Sequence, residues 1–148
     1  ATDLLRTALP QLMSRAGLAL AANDVLTALE RLAVFPPRAR LPTRDVGFSL
    51  ALPTESESAT FTLYFVALAM YGDDSHCARR LIEHGDEIGR TLAGYAELLQ
   101  ALGPAPRGLT HHGMVGLTAR APGSVPVLSA GVAATHAGSR PPTVGRPP

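Results

Sequence analysis

The chain has 148 residues, the usual length of one domain, and 46% of them are hydrophobic, so it can bury a core. Its 13 basic residues, all of them arginine, nearly balance 12 acidic residues, and the net charge is +1. This balance excludes a broad basic surface and argues against a nucleic-acid partner. The absence of lysine also excludes Schiff-base chemistry on a lysine side chain.

Cys77 is the single cysteine, which excludes an internal disulfide and a thiolate zinc cluster and favours a reducing, cytoplasmic setting. The apolar stretch over residues 4–34 is interrupted by charged residues and by Pro10. We therefore expect no signal peptide and no membrane span.

Two helices are predicted at the start of the chain. Asp3 can cap the first, and Pro10 would kink it or mark a frayed start. Asn23 and Asp24 form a cleaner cap for a second helix with apolar residues at helical spacing, and Pro36-Pro37 ends it.

A hairpin follows the second helix. Large apolar residues alternate with small or polar ones from Val46 to Leu52, which is the period of a strand. A polar turn over residues 53–58 leads to a second alternating run from Phe61 to Val66. The two runs predict paired antiparallel strands.

The second half of the chain repeats this order. The residues Asp73-Asp74-Ser75 predict a cap for a long helix that reaches Leu102, loosened at Gly85. A second hairpin is predicted over residues 110–120 and 125–135, in which Pro126 indicates an edge or irregular strand. We expect residues 1–137 to form one domain and residues 138–148, rich in proline, glycine and arginine, to be a disordered tail.

The predicted fold class is α+β, with antiparallel hairpins that helices cover on one face only. The other face carries small or polar side chains, at Gly47, Ser49, Ala51, Thr62, Tyr64 and Val66. Such a face either meets water or lines the inside of a wide barrel.

Few residues point to a reaction by themselves. The neighbours His111 and His112 would project to opposite faces of a strand, so they cannot chelate one metal ion, and no metal site is expected. Asp73 and Asp74 fit a helix cap better than a magnesium site. Cys77 is expected to be a packed thiol because no activating partner is positioned for it.

Residues 60–74, which read TFTLYFVALAMYGDD, carry a resemblance to a known family. They resemble the later repeats of the bacterial indole (DMATS-type) aromatic prenyltransferases, where a strand T-L-H/Y-F-P-V-R precedes two aspartates and a helix. The similarity extends over residues 34–135. Residues 41–48 resemble the preceding strand, residues 108–112 open a later strand, and residues 125–128 resemble the last one, usually V-T-V-Y-L.

The resemblance implies part of an antiparallel barrel, the ABBA fold, with helices outside and a solvent-filled lumen. It implies transfer of an allylic prenyl group from its diphosphate to an aromatic, indole-type acceptor, with no cofactor and no metal. The partners it implies are these two small molecules, and other chains that complete the barrel. By the same resemblance the prenyl-pocket candidates are Tyr64, Thr62, His112 and Met114, and the diphosphate candidates are Arg44 and Arg120. The catalytic residues are not identified.

Each of these residues also has a purely structural interpretation. Tyr64 can simply pack on the sheet, His112 can be a polar residue on the less buried face, and both arginines can be solvated charges. Leu68 and Leu128 stand where the family has a diphosphate-binding arginine and a shielding tyrosine. The chain is then a fragment, a subunit of a larger barrel or a decayed paralogue. The alternative function is a non-catalytic module that binds a partner chain or an apolar ligand.

Overall fold

A computed structural model of the chain describes residues 2–33, 46–106 and 109–134, and the side chains within them from Leu5 onward. Helices and strands alternate in groups along these residues. Their order is α1 (Thr2–Ser14), a 3₁₀ turn (Ala19–Ala21), α2 (Ala22–Leu32), β1 (Val46–Ala51), β2 (Thr60–Val66), α3 (Ala67–Tyr71), α4 (Asp74–Glu87), α5 (Ala93–Leu102), β3 (His112–Ala119) and β4 (Val127–Val132). The predicted tail at residues 138–148 lies outside the described residues.

The strands of the described residues form one antiparallel sheet in the order β1-β2-β3-β4. Tyr64 of β2 lies between Gly47 of β1 and Gly116 of β3, and Ser129 of β4 is the next residue along that row. Both predicted hairpins are therefore confirmed, and the α+β class with them. Within the described part of the chain β4 is an edge strand, and Pro126 precedes its first residue, where no ladder hydrogen bond is lost.

One face of the sheet packs against the helices. Phe61, Phe65, Val115 and Leu117 are at most 2% exposed on this face. They share the hydrophobic core with apolar side chains of α1, α2, α3 and α4. Full burial of each such side chain contributes about 1.5–3 kcal/mol relative to leaving it in water, which fixes the strand register.

The start of α2 differs from its prediction. Asn23 and Asp24 lie within the first turn of the helix, and the capping position, Ala21, makes no side-chain hydrogen bond. The carboxylate of Asp24 instead accepts a hydrogen bond of 2.9 Å from the backbone N–H of Gly123, in the turn between β3 and β4. Pro10 lies inside α1, which continues to Ser14.

The long helix predicted up to Leu102 is two helices, α4 and α5, separated by residues 88–92. Gly89 has a φ of +70°, a conformation that ends a helix and that glycine adopts without strain. The chain then folds back against Gly85, where an added β-carbon would lie 2.9 Å from the carbonyl oxygen of Arg90. A glycine is needed at position 85 because the chain after α4 packs closely against it, and not because the helix is loosened there.

None of the helices in the described residues is long and apolar enough to cross a membrane.

Candidate functional site

The face of the sheet that the helices do not cover is called here the open face, and it carries small or polar side chains. Strand register places these side chains on one surface: Gly47, Ser49 and Ala51 from β1, Thr62, Tyr64 and Val66 from β2, Gly116 and Thr118 from β3, and Val127 and Ser129 from β4. This is the two-faced pattern predicted from the alternation in the sequence. The strands carry no charged Arg, Lys, Asp or Glu side chain on either face over their described lengths.

Tyr64 lies at the centre of the open face. A β-carbon added at Gly116 would lie 3.2 Å from the ring atoms Cδ1 and Cε1 of Tyr64, so the ring covers this glycine. The hydroxyl of Ser49 lies 3.4 Å from the phenol oxygen and can donate a weak hydrogen bond to it. The missing side chain of Gly116 therefore leaves space for one edge of the ring, while the hydroxyl lies on the side of β1.

Thr62 and Thr118 face each other beside Tyr64. Their hydroxyl oxygens are 2.9 Å apart and share a hydrogen bond. Thr62 is 7% exposed, because the neighbouring strands cover it on both sides. The two hydroxyls are thus hydrogen-bond partners for each other across β2 and β3.

The remaining predicted pocket residues have different positions. Met114 pairs with Val66 and is 44% exposed beside the open face. Arg120 directly follows the last residue of β3 and is exposed. Arg44 lies outside the described residues.

His112 does not lie on the open face, contrary to the interpretation of it as a pocket residue or as a polar residue on the less buried face. It is 1% exposed and faces the helices. The reason is a register shift between His112 and Val115, where β3 has one residue more than β4. Such a bulge turns the preceding side chain to the opposite face of the sheet.

Asp74, at the first residue of α4, accepts hydrogen bonds from three residues of the segment that opens β3. The hydroxyl of Thr110 donates to Oδ1, and the backbone N–H of His111 donates to Oδ2 at 2.7 Å. His112 donates to Oδ1 twice, from its backbone N–H at 3.1 Å and from ring Nδ1 at 2.6 Å. The carboxylate thus ties the start of α4 to β3.

Tyr95 of α5 extends this network. Its hydroxyl lies 2.5 Å from Nε2 of His112, and the two rings meet edge to face. Because the Asp74 carboxylate can only accept, the tautomer of His112 that fits both contacts carries a proton on Nδ1 and accepts a hydrogen bond from the Tyr95 hydroxyl at Nε2. The Asp74–His112–Tyr95 network therefore connects α4, β3 and α5 through one chain of hydrogen bonds.

The pKa values of Asp74 and Tyr95 define the protonation states at the two ends of this network. Burial alone would raise the pKa of Asp74, but the hydrogen bonds from Thr110, His111 and His112 outweigh it and hold the pKa far below 3.8. Burial raises the pKa of Tyr95 well above 10.0, so the phenol stays protonated. Asp74 is thus an ionised acceptor and Tyr95 a neutral hydroxyl.

Cys77, one turn into α4, is a packed thiol. It is 1% exposed, and burial, reinforced by the negative charges of Asp74 and Asp73, raises its pKa to about 12. A thiol that keeps its proton is a poor nucleophile. Among the described residues no group of three or more histidine, cysteine or acidic side chains is arranged to hold a metal ion.

Two cavities flank the Asp74–His112–Tyr95 network. One, about 210 Å³ in volume, is lined by Tyr95 and by apolar side chains of α4, β4 and the residues around them, including Leu81, Ile88 and Leu128. The other, about 380 Å³, is lined by Asp74, His111 and His112 together with the segment after α5. No local pattern in the sequence indicates this network, because 38 residues separate Asp74 from His112.

The two leucines at family-specific positions have distinct surroundings. Leu68 lies in α3, beyond the end of β2, and is 42% exposed. Leu128 pairs with Leu117 and packs against the core on the helix-covered face. Neither side chain belongs to the open face.

Comparison of the chain with models of protein families, with curated proteins and with solved structures finds no match.

Proposed function

We propose that the open face lines part of a barrel lumen that binds an allylic prenyl diphosphate, and that the complete barrel transfers the prenyl group to an aromatic, indole-type acceptor. The observation that carries the proposal is Tyr64, a phenol ring at the centre of an open face of small side chains. The proposal also rests on the resemblance of residues 60–74 to the indole prenyltransferases.

The arrangement of the sheet supports a barrel wall. The strands pair in sequential order and antiparallel, and the helices lie against one face, so that closure of the sheet around further strands would turn the open face inward. Over the described residues β1 and β4 each pair on one side only, which leaves two edges where such strands can add.

The chemistry of prenyl transfer fits an aromatic ring in a neutral wall. An allylic cation is stabilised by the face of a π system without being captured by it. One edge of the Tyr64 ring lies beside Gly116 and its hydroxyl lies near Ser49, so a ligand on the open face would meet the ring at the centre of the wall. Small neighbours leave room for the chain of the ligand.

The diphosphate needs cations as it leaves. Arg120, at the end of β3, is the described candidate, and Arg44, just before β1, is the other. Arg120 lies four residues from Gly116, which is about 13 Å along a strand at ~3.3 Å per residue. That separation suits a ligand that spans the wall from a charged end to an aromatic centre.

Binding of dimethylallyl diphosphate, measured by calorimetry and by light scattering on a sizing column, tests the proposal. We expect saturable binding and an assembly that tightens with ligand, followed by prenylation of indole or tryptophan detected by mass spectrometry. A protein that neither binds the diphosphate nor changes its assembly would overturn the proposal.

Variants at Tyr64 sharpen this test. Tyr64→Ala should weaken prenyl binding about threefold to tenfold, since it removes the ring, whereas Tyr64→Phe should retain most of the affinity. Gly116→Ala should act in the same direction, because its β-carbon would lie 2.8 Å from Oγ of Ser129 and 3.2 Å from the Tyr64 ring, and would crowd both. Gly47→Ala is the matched control, since it lies on the same face opposite Tyr64 and its β-carbon would meet nothing within 4 Å. If Gly116→Ala and Gly47→Ala weakened prenyl binding equally, Tyr64 would not be part of the binding site.

A second candidate function follows from the absence of charged side chains on the described strands. In this alternative the open face binds a neutral apolar ligand or a partner chain and performs no reaction. Dimethylallyl alcohol separates the two candidates, because it keeps the prenyl group and lacks the diphosphate. Equal affinity for alcohol and diphosphate would favour the non-catalytic module.

A further inference from the structure

His84 of α4 is buried without a hydrogen-bond partner. The residue is 1% exposed, and neither Nδ1 nor Nε2 has a partner among the described residues. The nearest carboxylate oxygen, Oε2 of Glu87, is 3.8 Å from Nδ1, which is beyond hydrogen-bond distance. A buried polar group left in this state is costly, so its position calls for an explanation.

A small pocket next to His84 offers one. The pocket has a volume of about 150 Å³ and lies between α2, α4 and the turn that joins β3 to β4. His84 lines it together with Arg31 of α2 and with Gly123 and Ser124 of the turn. At ~30 Å³ per water molecule, this volume holds roughly five waters, or one small ion with part of its hydration.

Arg31 is the charged side chain near His84 that is left without a counterion among the described residues. Its guanidinium forms no ion pair with any described carboxylate, whereas Arg80, also near His84, is paired with Glu83 and donates to the carbonyl oxygen of Arg31. Against these stand Glu87 near His84 and Asp24 at the pocket wall, where the carboxylate of Asp24 already accepts from the backbone N–H of Gly123. Arg31 and His84 are therefore the two groups of the pocket whose side chains have no acceptor among the described residues, and His84 is the buried one of the two.

We propose that this pocket is a binding site for a small oxyanion, phosphate or carboxylate, held between the guanidinium of Arg31 and the imidazole of His84. The guanidinium donates to one oxygen with charge assistance, and the imidazole donates to another from either ring nitrogen. The proposal is independent of the function proposed for the open face, because the pocket lies on the helix-covered side.

Histidine ring resonances in NMR, followed during titration with sodium phosphate or sodium acetate against sodium chloride of equal ionic strength, test the proposal. The His84 signals are assigned by their loss in His84→Gln. We expect saturable shifts of the His84 ring resonances with phosphate or acetate and not with chloride. The anion that binds with the higher affinity shows whether the pocket prefers a phosphate or a carboxylate group. Arg31→Gln should weaken the binding tenfold or more, since a charge-assisted hydrogen bond is lost.

Arg79→Gln is the matched control, because Arg79 is exposed on α4 and does not line the pocket. It should leave the affinity unchanged. His84 signals that respond alike to all three salts, or that shift equally in Arg31→Gln and Arg79→Gln, would mean that the pocket holds water only. Circular dichroism of each variant establishes that it is folded, and Arg31→Gln changes an exposed residue that the core does not need.

Discussion

Asp73 and Asp74 are adjacent in sequence and have different surroundings. Asp73 is exposed and caps α4, accepting a hydrogen bond of 2.8 Å from the backbone N–H of His76. Asp74 turns inward and accepts from Thr110, His111 and His112. One carboxylate completes a helix end, and the other joins two elements of the core.

Replacement of each aspartate by asparagine should separate these roles. Asp74→Asn should lower the free energy of unfolding by about 2–4 kcal/mol, since an amide cannot accept all the hydrogen bonds that the carboxylate accepts. Asp73→Asn should cost less than about 0.5 kcal/mol because asparagine caps a helix as well as aspartate does. Urea unfolding measures both. Equal losses would show that the inward contacts of Asp74 contribute no more than a cap.

At the scale of single residues, the sequence pattern predicts the cap of α4 but does not indicate the Asp74–His112–Tyr95 network. The pattern Asp-Asp-Ser before a helix indicates a capping residue, and Asp73 fills that position. The orientation of His112 depends on a single extra residue in β3, which alternation alone cannot reveal. The resemblance makes His112 a pocket candidate beside Tyr64 and Thr62, and the extra residue in β3 is the reason that His112 faces the helices instead.

At the scale of elements, the segment between α4 and α5 depends on the glycine that it packs against. A β-carbon at Gly85 would lie 2.9 Å from the Arg90 carbonyl oxygen and 2.9 Å from Cγ of Leu92. Gly85→Ala should therefore destabilise the protein by about 1–3 kcal/mol through overpacking. Thermal unfolding measures the effect.

Gly94→Ala is the matched control for this prediction. Gly94 lies in α5, where an added β-carbon would meet nothing within 4 Å. Alanine should stabilise this helix by about 0.5–1 kcal/mol, since glycine is the poorer helix former. A neutral Gly85→Ala would mean that residues 88–92 move away without cost, and the break between the helices would then need another cause.

Hairpins were predictable at this scale because a period of two in hydrophobicity is a property of each strand alone. The break at residues 88–92 was not, because apolar residues at helical spacing continue across it from Ile88 to Leu92 and Tyr95. What stops the helix is the positive φ of Gly89 and the contact at Gly85, and the second of these is tertiary.

At the scale of the whole molecule, His84 couples stability to pH. Burial lowers the pKa of His84 from its ordinary 6.5, Glu87 raises it, and Arg31 and Arg80 lower it further. The unfolded chain thus takes up a proton at a higher pH than the folded protein. This contribution is fully present above pH 6.5 and is lost as the pH falls below that value, at up to about 1.4 kcal/mol per pH unit.

Unfolding free energies at pH 7.5 and 5.5, values chosen about one unit on each side of the ordinary histidine pKa, measure this coupling. The wild type should lose more stability between the two than His84→Gln, by about 1 kcal/mol. Both proteins keep the other four histidines, so the difference belongs to His84. If the unfolding free energies of the wild type and of His84→Gln changed equally with pH, folding would not lower the pKa of His84.

The overall architecture was predictable in part. Each hairpin has large apolar side chains on one face and small or polar ones on the other, and helical sequence separates the two hairpins. This pattern predicts an antiparallel sheet with helices on one side. How the hairpins meet was not predictable in detail, because the pairing of β2 with β3 joins residues about 50 positions apart and rests on packing of Phe65 against Val115.

The extra residue in β3 makes the length of an exposed segment important for the interior. Gly113 and Met114, at this bulge, are both exposed, and a substitution at either would be expected to act locally. Insertion of one residue beside Gly131, an exposed residue of β4, would instead restore one-to-one pairing, and His112, three residues from Val115, would then rotate out of the core. Asp74 would lose its imidazole partner, and Tyr95 its hydrogen bond. An insertion in an exposed strand would thus have the effect of a core mutation, while the residues that follow the bulge in β3 would keep their places on the open face.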